Sequence, residues 1–183
     1  MTSADVPPPG LDDRSPSPDV AAGAAEAGGP LVLRGLAGLQ ERVGSDLGVS
    51  GWRTVEQDDI STFARLTRDE QWIHVDPDRA RSGPYGRTVQ HGFFTLGLAT
   101  GLLWEVCVVE GFAMVINYGL NKVRFPAPLP VGSRVRMRVN LLTATALGEP
   151  AGDAAEAVYR LVYDVEGETK PCCVADLVFR YYN

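Results

Sequence analysis

Three cysteines and two histidines are all that 183 residues offer for disulfide, thiolate or imidazole chemistry. Cys107, Cys172 and Cys173 are odd in number, two of them are adjacent, and no C-x-x-C pair is present. That pattern speaks against a disulfide framework and against a zinc site, and it points to a reducing, cytoplasmic setting. The start of the chain lacks a basic segment followed by an apolar run, so a secretory leader is not expected. Positive charge is also short: 17 Lys and Arg stand against 23 Asp and Glu, for a net charge of −6. Most of this excess lies in the first 29 residues, where Asp5, Asp12, Asp13, Asp19 and Glu26 face Arg14 alone. The remainder is close to neutral, which excludes an extended nucleic-acid surface and a polybasic membrane patch. The longest weakly charged run, Gly92 to Val109, carries only Glu105, but it contains Gly92, Gly97, Gly101, Thr95 and Thr100 and has no basic flank. It reads as a helix wrapped by protein rather than a membrane span. Neither a phosphate-binding P-loop nor a dinucleotide fingerprint is present.

Residues 1–29 form an acidic tail with five prolines, many Ala, Gly and Ser, and no aromatic residue. Such a segment cannot bury enough apolar surface to offset its ordering entropy, and disorder is expected there. A single domain is expected over residues 30–183. Leu33, Leu36, Leu39 and Val43 recur at helical intervals and predict a short amphipathic helix over residues 31–43. Trp52 to Val55 reads as a short strand. Asp58 or Asp59 can cap a helix that buries Ile60, Phe63, Ala64 and Leu66. After a polar stretch, Asp76-Pro77 opens another short helix, Gly83-Pro84-Tyr85-Gly86 makes a turn, and the long apolar helix runs from about Gly92 to Val108. Beyond Gly111 the periodicity changes. Val135, Met137, Val139 and Leu141 alternate with Arg134, Arg136, Arg138 and Asn140, the mark of a half-buried antiparallel strand. Residues 155–165 and 172–182 are two more strands, joined at Gly167. Helices first and antiparallel strands afterwards define an α+β fold, and one apolar helix inside a curved sheet is its economical form.

Both histidines lie in the least ordinary stretch of the chain, D-E-Q-W-I-H-V-D-P (69–77) and V-Q-H-G-F-F-T-L (89–96). On one continuous helix Asp69 and His74 would diverge by about 140°, whereas an irregular connection can bring them together. A carboxylate and an imidazole facing one site can hold a water between them, one taking a proton as the other gives one. From spacing alone the more ordinary reading is a surface or capping acid at Asp69 and a satisfied core histidine at His74. His91-Gly92 stands at the start of the long helix. Unpaired N–H groups there carry partial positive charge, and glycine permits close approach of a ligand carbonyl. Tight packing alone would also account for a glycine at that place.

The order of these elements resembles the MaoC-like dehydratases, which include the (R)-specific enoyl-CoA hydratases, and among them the NodN-like branch. The resemblance is carried by Q-W-I-H-V-D-P (71–77), G-R-T-V-Q-H-G-F-F-T-L (86–96) and N-Y-G-L-N-K-V-R-F-P-A-P-L-P-V-G-S-R-V (117–135), and covers residues from about 33 to the C-terminus. It implies a hot-dog fold, a curved antiparallel sheet around a central helix. It implies reversible addition of water to a trans-2-enoyl-CoA to give the (R)-3-hydroxyacyl thioester. Asp69 and His74 match the acid–base pair, and Gly92 the residue whose N–H binds the thioester carbonyl. Gln71 and His91 are further substrate-binding candidates. Many hydratases carry Asn where Gln71 stands, and some carry Ser at the position of Gly97. The resemblance further implies a homodimer joined edge to edge and no cofactor beyond the coenzyme A or phosphopantetheine of the substrate, and two histidines in different roles do not make a metal-ligand set. Dehydration of carrier-protein-bound acyl chains, thioester hydrolysis and non-catalytic acyl binding remain the alternatives, because fold does not fix function.

Overall fold

The computed structural model describes residues 29–148 and 154–183, so the acidic tail lies, but for Gly29, outside the described residues. The main sheet is antiparallel. Its strands run in the order β2 (Asp46–Val49), β6 (Arg134–Leu147), β7 (Ala154–Val165), β8 (Cys173–Tyr182) and β5 (Met114–Arg124), and the short β3 (Arg53–Thr54) also pairs with β6. Alternation along the three central strands decides which face is covered. Val135, Met137, Val139 and Leu141 of β6, Tyr159, Leu161 and Tyr163 of β7, and Ala175, Leu177, Phe179 and Tyr181 of β8 are all buried. Register places like with like: Met137 opposite Tyr163 opposite Cys173, and Leu141 opposite Tyr159 opposite Leu177. The other face carries Arg160 paired with Asp176 and Arg180 paired with Glu156, each directly across the strands. Register shifts interrupt β2–β6, β5–β8 and β6–β7, the irregularities by which a sheet bends.

The helix against this sheet comes in two short pieces, α5 (Gly92–Gly97) and α6 (Ala99–Val106). They are separated only at Leu98, whose backbone is still right-handed helical and whose N–H bonds the Thr95 carbonyl. Ala99, Leu102, Leu103 and Val106 give α6 one buried stripe at helical spacing, and they join the strand residues in a single apolar cluster. The result is the hot-dog arrangement expected from the sequence, an antiparallel sheet curved around a helix. No helix of the described residues is long and apolar enough to cross a membrane.

Several local expectations need correction. Leu31–Arg34 is a strand, β1, pairing in parallel with β4 (Cys107–Glu110); only Gly35–Gln40 (α1) is helical. The helical spacing of the leucines competed with an open strand edge ahead of Gly35, whose φ of +58° ends the extended run. The same pairing ends the long helix at Val106, two residues earlier than predicted. The helix α2 (Gln57–Thr67) begins after Glu56, so Asp58 and Asp59 lie in its first turn rather than at its cap. There they still complement the helix dipole. Ile60 and Ala64 are buried, but Leu66 is 79% exposed and Phe63 only half-buried. The apolar helix is not enclosed all round either, since Phe93 and Trp104 face outward.

Leu102 is fully buried in the stripe that seats α6 on the sheet. Leu102→Ala is expected to lower the unfolding free energy by about 2–5 kcal/mol, measured by urea titration; a loss under about 1 kcal/mol would contradict this placement of the core.

Candidate active site

His74 lies on a helix and Asp69 in the short connection before it, because the chain breaks just ahead of Asp69. Helix α2 ends at Arg68, the only described non-glycine residue with positive φ (61°), and this left-handed step turns the backbone out of the helix just before Asp69. The polar stretch then starts a second helix instead of remaining a loop: α3 is Trp72–Val75 and contains His74. A helix interruption, rather than an irregular loop at both residues, therefore brings the pair together. Asp76 caps the next helix, α4 (Pro77–Arg81), accepting from the Arg79 N–H at 2.9 Å, as its sequence predicts.

His74 is 8% exposed, and its Nδ1 lies 2.7 Å from the Val89 carbonyl oxygen. A carbonyl only accepts, so Nδ1 carries the proton, and in the neutral ring Nε2 presents a lone pair. Val89 is itself anchored: its N–H donates to the Ile73 carbonyl at 3.0 Å, and it bridges to Pro130. Burial holds the His74 pKa below its usual 6.5. His91 pushes in the same direction, while the Val89 hydrogen bond and Asp69 oppose. The neutral ring is thus the resting form at neutral pH.

His91 lies directly against His74, the two rings stacked at 3.7 Å between centroids and 21° between planes. Its Nε2 donates to the backbone carbonyl of Asp69 at 2.9 Å and stands 4.0 Å from the Asp69 carboxylate. Asp69, His74 and His91 each bring one possible ligand atom within 4.8 Å of the others. The Asp69 side chain is 59% exposed, so the cluster has a buried imidazole side and a solvent-facing carboxylate side.

Gly92 is the first residue of α5, immediately after His91. A Cβ there would sit 2.9 Å from the Phe125 ring, so glycine is what lets that ring lie over the helix start. Gly92 lines an open cleft of about 290 Å³ with Ile73, Tyr85, Val89, Thr95 and Phe125. The cleft reaches the backbone neighbours of His74, and its lining does not include the side chains of Asp69 or His74. Gln71 precedes α3 with an exposed side chain; its backbone carbonyl accepts from the His74 N–H at 2.9 Å. Asp69, His74, His91 and Gly92 are thus gathered together. For Gln71, only the backbone takes part.

Sequence reasoning missed the supporting polar residues. Gln57 donates to the His74 carbonyl at 2.8 Å and accepts from Thr88. Gln90 donates to Thr95, whose hydroxyl donates to the His91 carbonyl. Thr88, Gln90 and Thr95 lie within or beside the quoted 86–96 motif, so proximity could have flagged them; nothing in the sequence marks Gln57.

A model of the "MaoC like domain" family matches residues 39–155. The 3-hydroxyacyl-thioester dehydratase Z of Mycobacterium tuberculosis is 47% identical over 150 residues, which cover 82% of this chain and 97% of that protein. Nodulation protein N of Rhizobium leguminosarum bv. viciae is 37% identical over 145 residues, 78% of this chain and 88% of that one. Among solved structures, a MaoC-like dehydratase from Rhodospirillum rubrum superposes with a TM-score of 0.62 at 22% identity, covering 77% of this chain and 92% of that one. The chain belongs to the MaoC-like domain family.

Linkage gives a prediction for stability. Between the lowered folded-state pKa of His74 and its ordinary 6.5, the unfolded chain binds a proton that the folded chain refuses. His74 therefore contributes a loss of stability as pH falls from above 6.5, ending below the folded-state pKa. His74→Gln is expected to flatten that part of the stability–pH curve in urea titrations. Identical slopes for wild type and variant would contradict it.

Proposed function

We propose that the chain is an enoyl-thioester hydratase and 3-hydroxyacyl-thioester dehydratase, a hydro-lyase in which Asp69 and His74 act on one water. The observation that carries this reading is the meeting of a neutral, oriented imidazole and a carboxylate near a cleft that Gly92, the first residue of α5, helps to line. The 47% identical relative is named as a 3-hydroxyacyl-thioester dehydratase, which supports it.

In hydration, the thioester carbonyl accepts from the Gly92 N–H, where the helix start favours negative charge. This draws electron density from the conjugated C2=C3 bond. Asp69 and the bare Nε2 of His74 accept hydrogen bonds from a single water. Its oxygen bonds to C3, the π electrons move toward the carbonyl oxygen, and the pair takes up the proton the water loses. The enolate then collapses, C2 gains a proton from the pair, and both groups return to their starting state. Dehydration is the reverse. The two groups exchange protons as a coupled unit, so roles are assigned to the pair. No cofactor enters this scheme, and the thiol carrier, coenzyme A or phosphopantetheine, belongs to the substrate.

A homodimer fits the same reading. Strand β5 ends the sheet, and Met114, Ile116, Tyr118 and Leu120 on it are exposed. An open apolar edge of this kind pairs readily with another strand, and a second copy would continue the sheet.

Asp69→Asn and His74→Ala are each expected to lower turnover of crotonyl-CoA by on the order of 10²–10⁴, followed as loss of enoyl-thioester absorbance, with circular dichroism unchanged. Near-normal turnover in either variant would refute the role given to that residue. Release of free thiol in place of hydration, detected with a thiol reagent, would favour hydrolysis instead. A second expectation concerns assembly: Ile116→Lys should convert a dimer to a monomer in light scattering after size exclusion, and a wild-type chain that elutes as a monomer would contradict the pairing.

A further inference from the structure

His91 touches both members of the pair, yet no step of the proposed chemistry uses it. It is 3% exposed and sits between four parts of the fold. Its Nε2–H reaches back to the carbonyl of Asp69 at 2.9 Å, just past the left-handed step at Arg68. Its ring covers the His74 ring at 3.7 Å. Phe63 of α2 backs it at 5.0 Å, tilted by 54°. Its backbone leads straight into Gly92.

No simpler side chain makes these contacts together. A phenyl ring would stack on His74 but donate nothing to Asp69. An amide would donate but leave the face of His74 uncovered. The imidazole also carries a cost that packing does not explain: Nδ1 is buried and has no hydrogen-bond partner. In the neutral ring that donates through Nε2, Nδ1 is a bare acceptor, and leaving such an atom buried and unpaired is unfavourable. A carboxylate and an imidazole acting on one water must keep their spacing within a few tenths of an ångström, and a displacement of about 1 Å can cost 10²-fold.

We propose that His91 is a positioning residue: it fixes the separation of Asp69 and His74 by holding the backbone of one and the ring of the other, and it ties both to the helix start at Gly92. It forms no bond and carries no proton in the proposed steps. The proposal rests on the reading of Asp69 and His74 as the catalytic pair, and its test includes one readout that does not.

The chain contains only two histidines, so in any His91 variant the single remaining imidazole signal belongs to His74. The groups that act electrostatically on His74 are His91 and Asp69, and His91 disfavours its protonation. In His91→Phe and His91→Gln, the NMR titration of His74 is expected to move up toward the ordinary 6.5. In kinetics with crotonyl-CoA, His91→Phe is expected to lower kcat by about 10- to 100-fold with KM little changed, and His91→Gln to recover part of that loss by restoring a donor to the Asp69 carbonyl. The acid limb of the pH–rate profile is expected to follow the NMR midpoint in both variants. An unmoved His74 titration overturns the proposal, as do equal kcat losses in the two variants or a loss confined to KM. Should the wild-type protein hydrate no enoyl thioester, the catalytic reading fails, while the titration still decides whether His91 governs His74. A His91→Phe chain that does not fold leaves the decision to His91→Gln by the same titration.

Discussion

One hydrogen bond governs the site: the 2.7 Å contact from His74 Nδ1 to the Val89 carbonyl. It selects the tautomer, and so decides that the nitrogen left unprotonated is Nε2. The acceptor is not free to move, because the same residue donates to Ile73 and its successor Gln90 donates to Leu129. Segment 88–91 therefore lies clamped between α3 on one side and residues 129–131 on the other. An imidazole held in this way presents a lone pair of fixed direction. Burial reinforces the choice by keeping the ring neutral.

The sheet and helix serve this arrangement at a distance. Buried faces of β6, β7 and β8 seat α6, and α6 continues from α5, whose first residue is Gly92. The start of α5 is thus placed by the apolar core, while His74 and Asp69 are held by Val89 and His91 in the segment just before it. Glycine at position 92 lines the cleft and makes room for Phe125, which lines it too. Of the three cysteines only Cys172 reaches the cleft, as part of its wall. All are buried, and burial pushes Cys172 and Cys173 up to about 12, far from the thiolate form.

How much of this was legible in the sequence follows from the kind of signal each feature leaves. The alternation of Val135, Met137, Val139 and Leu141 has one physical reading, and the strand is where it predicts. Asp76-Pro77 has one reading as well, and the cap is formed. Leu31 to Val43 reads as a helix because its leucines recur at spacing three; the free edge of Cys107–Glu110, distant in sequence, draws Leu31–Arg34 into a strand instead. Asp69 and His74 stand out only through the order of motifs that carries the family resemblance, because their spacing alone is silent. The break that unites them lies at Arg68, and arginine gives no warning of a left-handed backbone. Gln57 and the contact of the two imidazoles were beyond reach, because each depends on segments packed across the domain.

The central claim is that His74 rests as a neutral ring protonated on Nδ1, with Nε2 bare beside the Asp69 carboxylate. Imidazole ¹⁵N NMR at neutral pH tests it most directly. The account requires the His74 Nδ1 shift of a protonated nitrogen and the Nε2 shift of an unprotonated one. The opposite tautomer, or a doubly protonated ring, would contradict it.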